Sequence, residues 1–483
     1  MLCLAWCLLA AGMTLAQLTR TRSQSNEPQT PQSDARPATT STQQPLPAAP
    51  LTTAQQVPGA ARTGPAVSSL GLEQAIALAM ENNLATLLAK ERENEARGFK
   101  REALSGLLPN ISGTAYQASL TENLAALGFT GAKFPGFTST FIGPFKNFDA
   151  RAHFQQTIFN LSVLQNYHAG RASVQVAEFQ EAMAREQVAT ATALAYLEAM
   201  RADRSVAAAQ ANITLGQTLL KLAQDQRSAG VATGVDVTRA ETRLAQEQVR
   251  LSRAQSDDED ARLQLQRIIG LPLGSPFTLA DPLRFSPDAL PAIETAIAAA
   301  EDTRAEIRAA EAQLTVNQLE ARATRAEQLP SLEFVGDYGI SGVTPVTSAL
   351  PTRRYAIQLD VPIFNGGLTR GRMQVANARE REAQLQLDTT RGQVAEDVRL
   401  AYAALRTTAD TVSAADSAVT LAERELQMAQ DRYRAGVGDS IELVTAQTTL
   451  ANARLDQVTA LAAYNGARLN LAAALGRAQN FRW

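Results

Sequence analysis

The strongest constraint on this chain is a short motif that occurs twice, each time after a long segment without proline. Ala229–Val231 recurs as Ala435–Val437, and a Leu-Ala pair follows each copy at the same distance. Repeated segments of this kind reflect a repeated structural unit. The sequence therefore predicts an internal two-fold repeat with halves 67–275 and 276–483, each with a helical tip, near residue 230 and near residue 436.

Each half contains one segment long enough for a helix of about 100 Å at a rise of about 1.5 Å per residue. The proline-free segments are 165–229 and 368–435, and shorter helical patterns cover 72–105, 235–269, 293–327 and 440–476. Two shorter helices placed end to end would match one long helix. The lengths are compatible with 235–269 followed in space by 293–327, and with 440–476 followed by 72–105.

Two pairs of strands interrupt the helices, at about 110–119, 148–159, 331–340 and 355–364. Apolar and polar residues alternate along them, as in Phe148 to Gln155, so each strand has one apolar face. Strands of about ten residues can cross a bilayer when tilted. Four strands cannot close a barrel, and open edges are not tolerated in lipid, so strands from several copies would combine. The alternative is a small soluble sheet packed on helices.

Composition supports a mainly α fold with a small β part. Hydrophobic residues make up 45% of the 483 residues but aromatic residues only 5%, so alanine dominates the apolar share, as in closely packed long helices. The net charge of -3 argues against a nucleic-acid-binding protein, which usually has a basic face. The sequence shows no catalytic constellation and no set of metal ligands, so we predict neither enzymatic activity nor a cofactor or metal.

The N-terminus indicates secretion. Residues 1–16 have the apolar region and the small residues before a cleavage site that are typical of a signal peptide. Cys3 and Cys7 both lie in it, so the processed chain would have no cysteine. Trp6 stands where a lipoprotein signal has a small residue, which argues against lipidation. Residues 17–66 are rich in Pro, Ser, Thr and Gln and are predicted to be a disordered lead-in.

From about residue 70 to 476 the chain resembles the TolC-like outer membrane efflux proteins. The resemblance is carried by Leu329-Pro330-Ser331-Leu332 entering a strand, by Val361-Pro362-Ile363-Phe364-Asn365-Gly366-Gly367 leaving one, and by both tips. It implies a homotrimer with a twelve-stranded barrel in outer-membrane lipid and a helical tunnel in the periplasm. It also implies a passive exit duct that works with a periplasmic adaptor protein and an inner-membrane transporter. The competing hypothesis is a secreted or periplasmic helical scaffold without channel activity.

The resemblance also implies roles for individual residues at the tips. Acidic residues beside the tips narrow the entrance in this family, and the matching positions here are Asp236 and Glu442. Tyr433 matches a residue that helps to hold the entrance closed. Four further residues match the turns that dock the adaptor, namely Gly230, Val231, Gly436 and Val437.

The two acidic residues also have a simpler interpretation than that of a pore gate. Asp236 and Glu442 each lie in the first turn of a helix, where the helix dipole and capping favour a carboxylate. If three copies instead brought these carboxylates together, repulsion would raise their pKa values. Tyr433 fits packing at least as well as gating, and Gly230 and Gly436 also fit the positive φ of a helix ending.

Overall fold

The computed structural model of the chain describes residues 58–64, 67–127, 141–287 and 291–483. The predicted signal peptide and the lead-in up to residue 57 lie outside these residues. The principal helices and strands, in chain order, are β1 (Ser69–Leu70), α1 (Leu72–Asn82), α2 (Leu84–Ser105), β2 (Asn110–Asn123), β3 (Phe141–Phe159), α3 (Leu161–Ser228), α4 (Gly234–Ile269), β4 (Thr278–Leu279), α5 (Ile293–Thr303), α6 (Ala305–Ala326), β5 (Ser331–Gly342), β6 (Leu350–Asp360), α7 (Leu368–Arg434) and α8 (Ser440–Ala474).

The fold is mainly helical, as the composition predicts. Two helices, two strands, a very long helix, a tip and a further helix follow one another, and this order then occurs a second time. The long helices α3 and α7 have 68 and 67 residues, which corresponds to about 100 Å each. Both long helices cover their predicted segments except for the last residue of each.

Four strands form one antiparallel sheet in the order β2-β3-β5-β6. The register places Ala152 opposite Tyr338 and Phe334 opposite Ile357, so the predicted apolar residues share one face. On the other face, Arg151 binds Asp149 and lies 2.9 Å from the carboxylate of Asp337. The sheet therefore has one mainly apolar face and one mainly polar face.

The strands are longer than predicted, and the last one is displaced. β2 extends to Asn123, and β3 already begins at Phe141. β6 covers Leu350–Asp360, so the predicted range 355–364 is wrong at both ends. Pro362 lacks an N–H group and cannot continue the ladder, whereas Pro351 is tolerated because β6 lies at the sheet edge.

Two helices that the sequence predicts as continuous are each broken by one residue in extended conformation. Asn83 (φ -70°, ψ 136°) separates α1 from α2, and its side-chain oxygen accepts a hydrogen bond from the N–H of Ala85. Arg304 (φ -65°, ψ 123°) separates α5 from α6. The end of another helix meets the chain at each break. We call these meeting points the first and the second joint.

At the first joint, the C-terminal end of α4 meets the break between α1 and α2. The side chains of Asn82 and Asn83 donate hydrogen bonds to the carbonyl oxygens of Ile269 and Ile268, at 3.3 and 3.2 Å. At the second joint, Thr303 and Arg304 donate to the last carbonyl groups of α8. The end-to-end pairs are thus α4 with α2 and α8 with α6. The helix lengths had suggested other pairs, 235–269 with 293–327 and 440–476 with 72–105. The structure shows that these pairs are wrong.

Residues 58–64, which we call the strap, lie against the first joint. Within the strap, the N–H groups of Ala60 and Gly64 each donate at 2.7 Å, to the carbonyl oxygens of Arg267 and Gly270. The predicted disorder of the lead-in therefore does not extend over these seven positions. Their backbone groups are satisfied by the ends of helices, which removes the need for a large apolar surface of their own.

Candidate functional site

Both tips reverse the chain through a glycine with positive φ. Gly230 has φ 81° and Gly436 has φ 72°, a conformation that side chains with a Cβ atom disfavour. The N–H of Val231 then donates to the carbonyl oxygen of Gln226 at 2.9 Å. This hydrogen bond closes the end of α3. In the second tip the N–H of Val437 donates at 3.1 Å to the carbonyl oxygen of Arg432.

In the first tip Asp236 completes a capping box. Thr233 is the N-cap of α4, and its N–H and its hydroxyl both donate to the Asp236 carboxylate, at 2.8 and 2.7 Å. This arrangement satisfies backbone donors that the start of a helix leaves free. The simpler interpretation of Asp236, a carboxylate that caps its own helix, therefore accounts for its contacts with Thr233.

The second tip uses a different residue for the same purpose. Asp439 caps α8, and its carboxylate accepts a hydrogen bond from the N–H of Ile441 at 3.0 Å. Glu442 instead forms an ion pair with Arg432 at 3.2 Å, with about half of each side chain exposed. The two predicted acidic positions are thus not equivalent, because Asp236 is a capping residue and Glu442 is a surface ion-pair residue.

Side chains also join the two tips to each other. The Ser440 hydroxyl of the second tip donates to Asp236 of the first, and Arg239 donates to the same hydroxyl at 3.0 Å. Gln226 donates to the carbonyl oxygen of Arg434 at 3.3 Å. Asp236 is therefore shared between both helical hairpins of the chain.

These donors change the acidity of Asp236. The hydrogen bond from Ser440 and that from the Thr233 backbone hold the pKa of Asp236 below its usual value, against a smaller opposing effect of burial. Donors that favour the charged form act in this direction. The raised pKa expected for a ring of carboxylates concerns three assembled copies and stays a prediction.

Tyr433 lies inside the tip region. Its side chain is 6% exposed and packs with Leu219, Leu426 and Leu443. Its hydroxyl has no hydrogen-bond partner among the described residues, and it lines a cavity of about 10 Å³ together with Gln447. Burial raises the pKa of Tyr433, and the carboxylates of Asp236 and Asp439 add to this effect. Packing accounts for its position, and its role as a gate stays a prediction.

Both tips expose apolar side chains. Val231 and Val437 are 57% and 70% exposed, and Val235 and Ile441 of the adjoining helix starts are also exposed. A Cβ atom on Gly436 would lie 3.5 Å from the side chain of Val231, so the two turns are in contact. Val231 and Val437 are thus exposed apolar side chains on two adjoining turns.

The sequence pattern of the family described as "Outer membrane efflux protein" matches residues 75–271 and 296–477, well over half of the chain. The chain belongs to this family. Family membership identifies it as an outer-membrane protein, and the family is one of transport proteins rather than of enzymes. Among the described residues, no helix combines the length and apolar character needed to cross a membrane.

Relatives and solved structures agree with this assignment. CyaE of Bordetella pertussis is 28% identical over 289 residues, which cover 58% of this chain and 60% of CyaE. The alkaline protease secretion protein AprF of Pseudomonas aeruginosa is 24% identical, with 80% of each chain covered. The outer membrane protein VceC of Vibrio cholerae has the same fold, with a TM-score of 0.71 at 19% identity over 84% of this chain and 96% of VceC. The chain thus spans about three fifths of the length of CyaE.

The roles of several tip residues were not predicted from the sequence. Thr233 and Asp439 stand three positions before Asp236 and Glu442, the spacing of a capping box, so this signal was available. Ser440 and Gln447 gave no such signal, because their partners lie about two hundred residues away or are absent from the described part of the chain.

Proposed function

We propose that the chain is the outer-membrane exit duct of a tripartite efflux or type I secretion system. The observation that carries this proposal is the two-faced sheet of four strands attached to helices of about 100 Å. A sheet with one apolar face and two open edges is suited to lipid only when copies join edge to edge. Three copies would supply twelve strands, and the two halves of each would be an internal repeat.

In this arrangement the apolar faces of the strands contact outer-membrane lipid, and the polar faces line the barrel. The long helices form a tunnel in the periplasm and end at the tips. The apolar surface of Gly230, Val231, Gly436 and Val437 docks the periplasmic adaptor, which connects the duct to an inner-membrane transporter. The duct itself carries out no chemistry and moves its cargo passively.

The first test is reconstitution of the full chain in planar lipid bilayers. A duct gives discrete conductance steps from a trimer. Recovery of the protein as an aqueous monomer, without conductance, would leave the helical scaffold as the better hypothesis.

A second test addresses the gate. If Asp236, Glu442 and Tyr433 narrow the entrance, Asp236→Ala combined with Glu442→Ala increases single-channel conductance and decreases cation selectivity. Asp257→Ala, in an acidic helical segment away from the tips, is the matched control. Unchanged conductance and selectivity in the double variant would assign the two carboxylates to capping and ion pairing alone.

A further inference from the structure

The loop that joins β6 to α7 exposes two large apolar side chains almost completely. Ile363 is 94% and Phe364 is 88% exposed, and Val361 beside them is 49% exposed. Single exposed apolar residues are common on proteins. Neighbouring side chains of this size, exposed to this extent, indicate a contact surface.

The loop is held in a defined conformation. Gly366 and Gly367 turn the chain into α7 with φ values of 65° and 87°. The Asn365 side chain donates to the hydroxyl of Thr369, a residue that is only 3% exposed. The backbone directly after Ile363 and Phe364 is therefore held in a defined turn, which lowers the entropy cost of placing this loop against a partner.

A second apolar surface lies at the opposite edge of the same sheet. Leu108 precedes β2 and is 51% exposed, and Ile111 within β2 is 70% exposed. β3 and β5 lie between β2 and β6. At about 4.8 Å per strand, the two edges are about 14 Å apart across the sheet, so one copy cannot bring its own two surfaces together.

Strand direction brings the two surfaces together between copies. Asn110 at the start of β2 pairs with Gln155 of β3, and Gln155 pairs with Val335 of β5. Asp360 at the end of β6 pairs with Ser331 of β5. The start of β2 and the end of β6 therefore lie at the same end of the sheet. Antiparallel pairing of β6 with β2 of another copy would place the β6–α7 loop beside Leu108 of that copy.

We propose that Ile363 and Phe364 insert against Leu108 and Ile111 of a second copy of this chain. The proposal rests on the proposed trimeric duct and specifies which side chains join its protomers. The alternative is that membrane lipid covers the apolar side chains of this loop. A second copy fits better because both surfaces adjoin open strand edges, and such edges must pair within a membrane.

Disulfide cross-linking tests the contact. In outer membranes, Phe364→Cys combined with Leu108→Cys gives a ladder of covalent dimers and trimers on oxidation, and so does Ile363→Cys with Leu108→Cys, which retains Phe364. Single-cysteine variants give no ladder. Val346→Cys with Leu108→Cys is the matched control, because Val346 is 90% exposed but lies in the β5–β6 turn at the other end of the sheet.

The outcomes separate this contact from the proposed function. A trimer of normal mass in which neither pair cross-links overturns the insertion and leaves the duct intact. A wild-type chain that is monomeric in the membrane overturns the duct and the insertion with it.

Lipid contact is measured separately with a tryptophan probe in a Trp483→Phe background. Brominated lipids quench a tryptophan that lies in the acyl chains. We expect Phe364→Trp to be quenched several-fold less than Tyr355→Trp, which replaces a residue on the apolar face of the sheet. Equal quenching of the two probes would assign the loop to lipid and overturn the contact between copies.

Discussion

At the first joint the last carbonyl groups of α4 are bonded by two asparagine side chains and covered by the strap, whereas at the second joint those of α8 are bonded by Thr303 and Arg304. Both joints place a helix end against a break in a neighbouring helix. The first joint does so with neutral groups and an added piece of backbone. The second does so with a cation, since Arg304 also binds Glu306 and Asp397.

The difference predicts where each joint is sensitive. Neutral hydrogen bonds in a closely packed joint respond to changes of shape, because a misplaced atom disrupts several bonds at once. A joint built on a buried cation responds to loss of that charge and to pH. The same structural problem therefore has a steric solution in one half and an electrostatic solution in the other.

The largest expected effect is that of Gly270→Ala at the first joint. Gly270 has φ 80°, and an added Cβ atom would lie 2.5 Å from the carbonyl oxygen of Arg62 and 2.9 Å from the side chain of Asn82. The clash is with backbone, so the strap must move. We expect a loss of about 3 kcal/mol in the free energy of unfolding, from backbone strain and overpacking together. Urea unfolding followed by circular dichroism measures it.

Gly476→Ala is the matched control at the second joint. Its φ of 68° has the same backbone cost, but the nearest atom to an added Cβ would be 3.6 Å away, at Arg304. The free energy of unfolding should therefore fall by only about 1 kcal/mol. Equal losses at the two glycines would show that the strap adds no steric constraint.

Asn83→Ala removes the residue that connects three parts of the first joint. Its side chain donates to the carbonyl oxygens of Pro58 and Ile268 and accepts from Ala85, and it is fully buried. We expect the free energy of unfolding to fall by about 2–3 kcal/mol, because carbonyl groups are left without donors and the N-cap of α2 is lost. Proteolysis within the strap should also become faster. Asn94→Ala, an exposed change in the same helix, should alter stability by less than about 0.5 kcal/mol.

Arg304→Met at the second joint should lower the free energy of unfolding by about 2 kcal/mol. It removes a nearly buried guanidinium group that binds the carbonyl oxygen of Ala474 and the carboxylates of Glu306 and Asp397. Arg308→Met, which changes an arginine whose side chain is 47% exposed, is the control. Similar losses from both variants would argue against an electrostatic joint.

The Arg304 variant should also show a pH dependence that the first joint lacks. Burial raises the pKa of Asp397, Arg304 lowers it, and Glu306 and Glu396 raise it. Without the arginine this pKa rises further. A carboxyl with a raised folded pKa destabilises the fold while ionised and is relieved as the pH falls through that pKa. The loss caused by Arg304→Met should therefore be smaller at about pH 5 than at about pH 8, and a constant loss would contradict the assignment.

Hydrophobic periodicity was sufficient to predict the long helices and the apolar faces of the strands, but not the bounds of the strands. It could not reveal the joints, because the breaks depend on partners far away in the sequence. Arg304 has no helix-breaking character of its own and bonds to Ala474. The strap has the composition of a disordered segment, yet its backbone is satisfied by the ends of helices. Short-range patterns carry no information on such contacts.

The tips show the same limit. Gly230 and Gly436 were predictable as positive-φ turns, because glycine after a helix has a clear local cause. The capping partners Thr233 and Asp439 were also within reach of local rules. The bond between Ser440 and Asp236 was not, since it joins the two halves of the chain.

The smallest expected effects compare the acidic residues of the two tips. Asp236→Ala removes a capping box and the bond to Ser440, and should cost about 1 kcal/mol. Glu442→Ala removes only a half-exposed ion pair and should cost less than about 0.5 kcal/mol. The pKa of Asp236 is lowered by its donors, so its contribution is present above the usual pKa of an aspartate and lost as the pH falls through the folded pKa. The difference between the wild type and Asp236→Ala should therefore shrink below about pH 4. A difference that stays constant down to acid unfolding would mean that capping by the ionised carboxylate does not stabilise this tip.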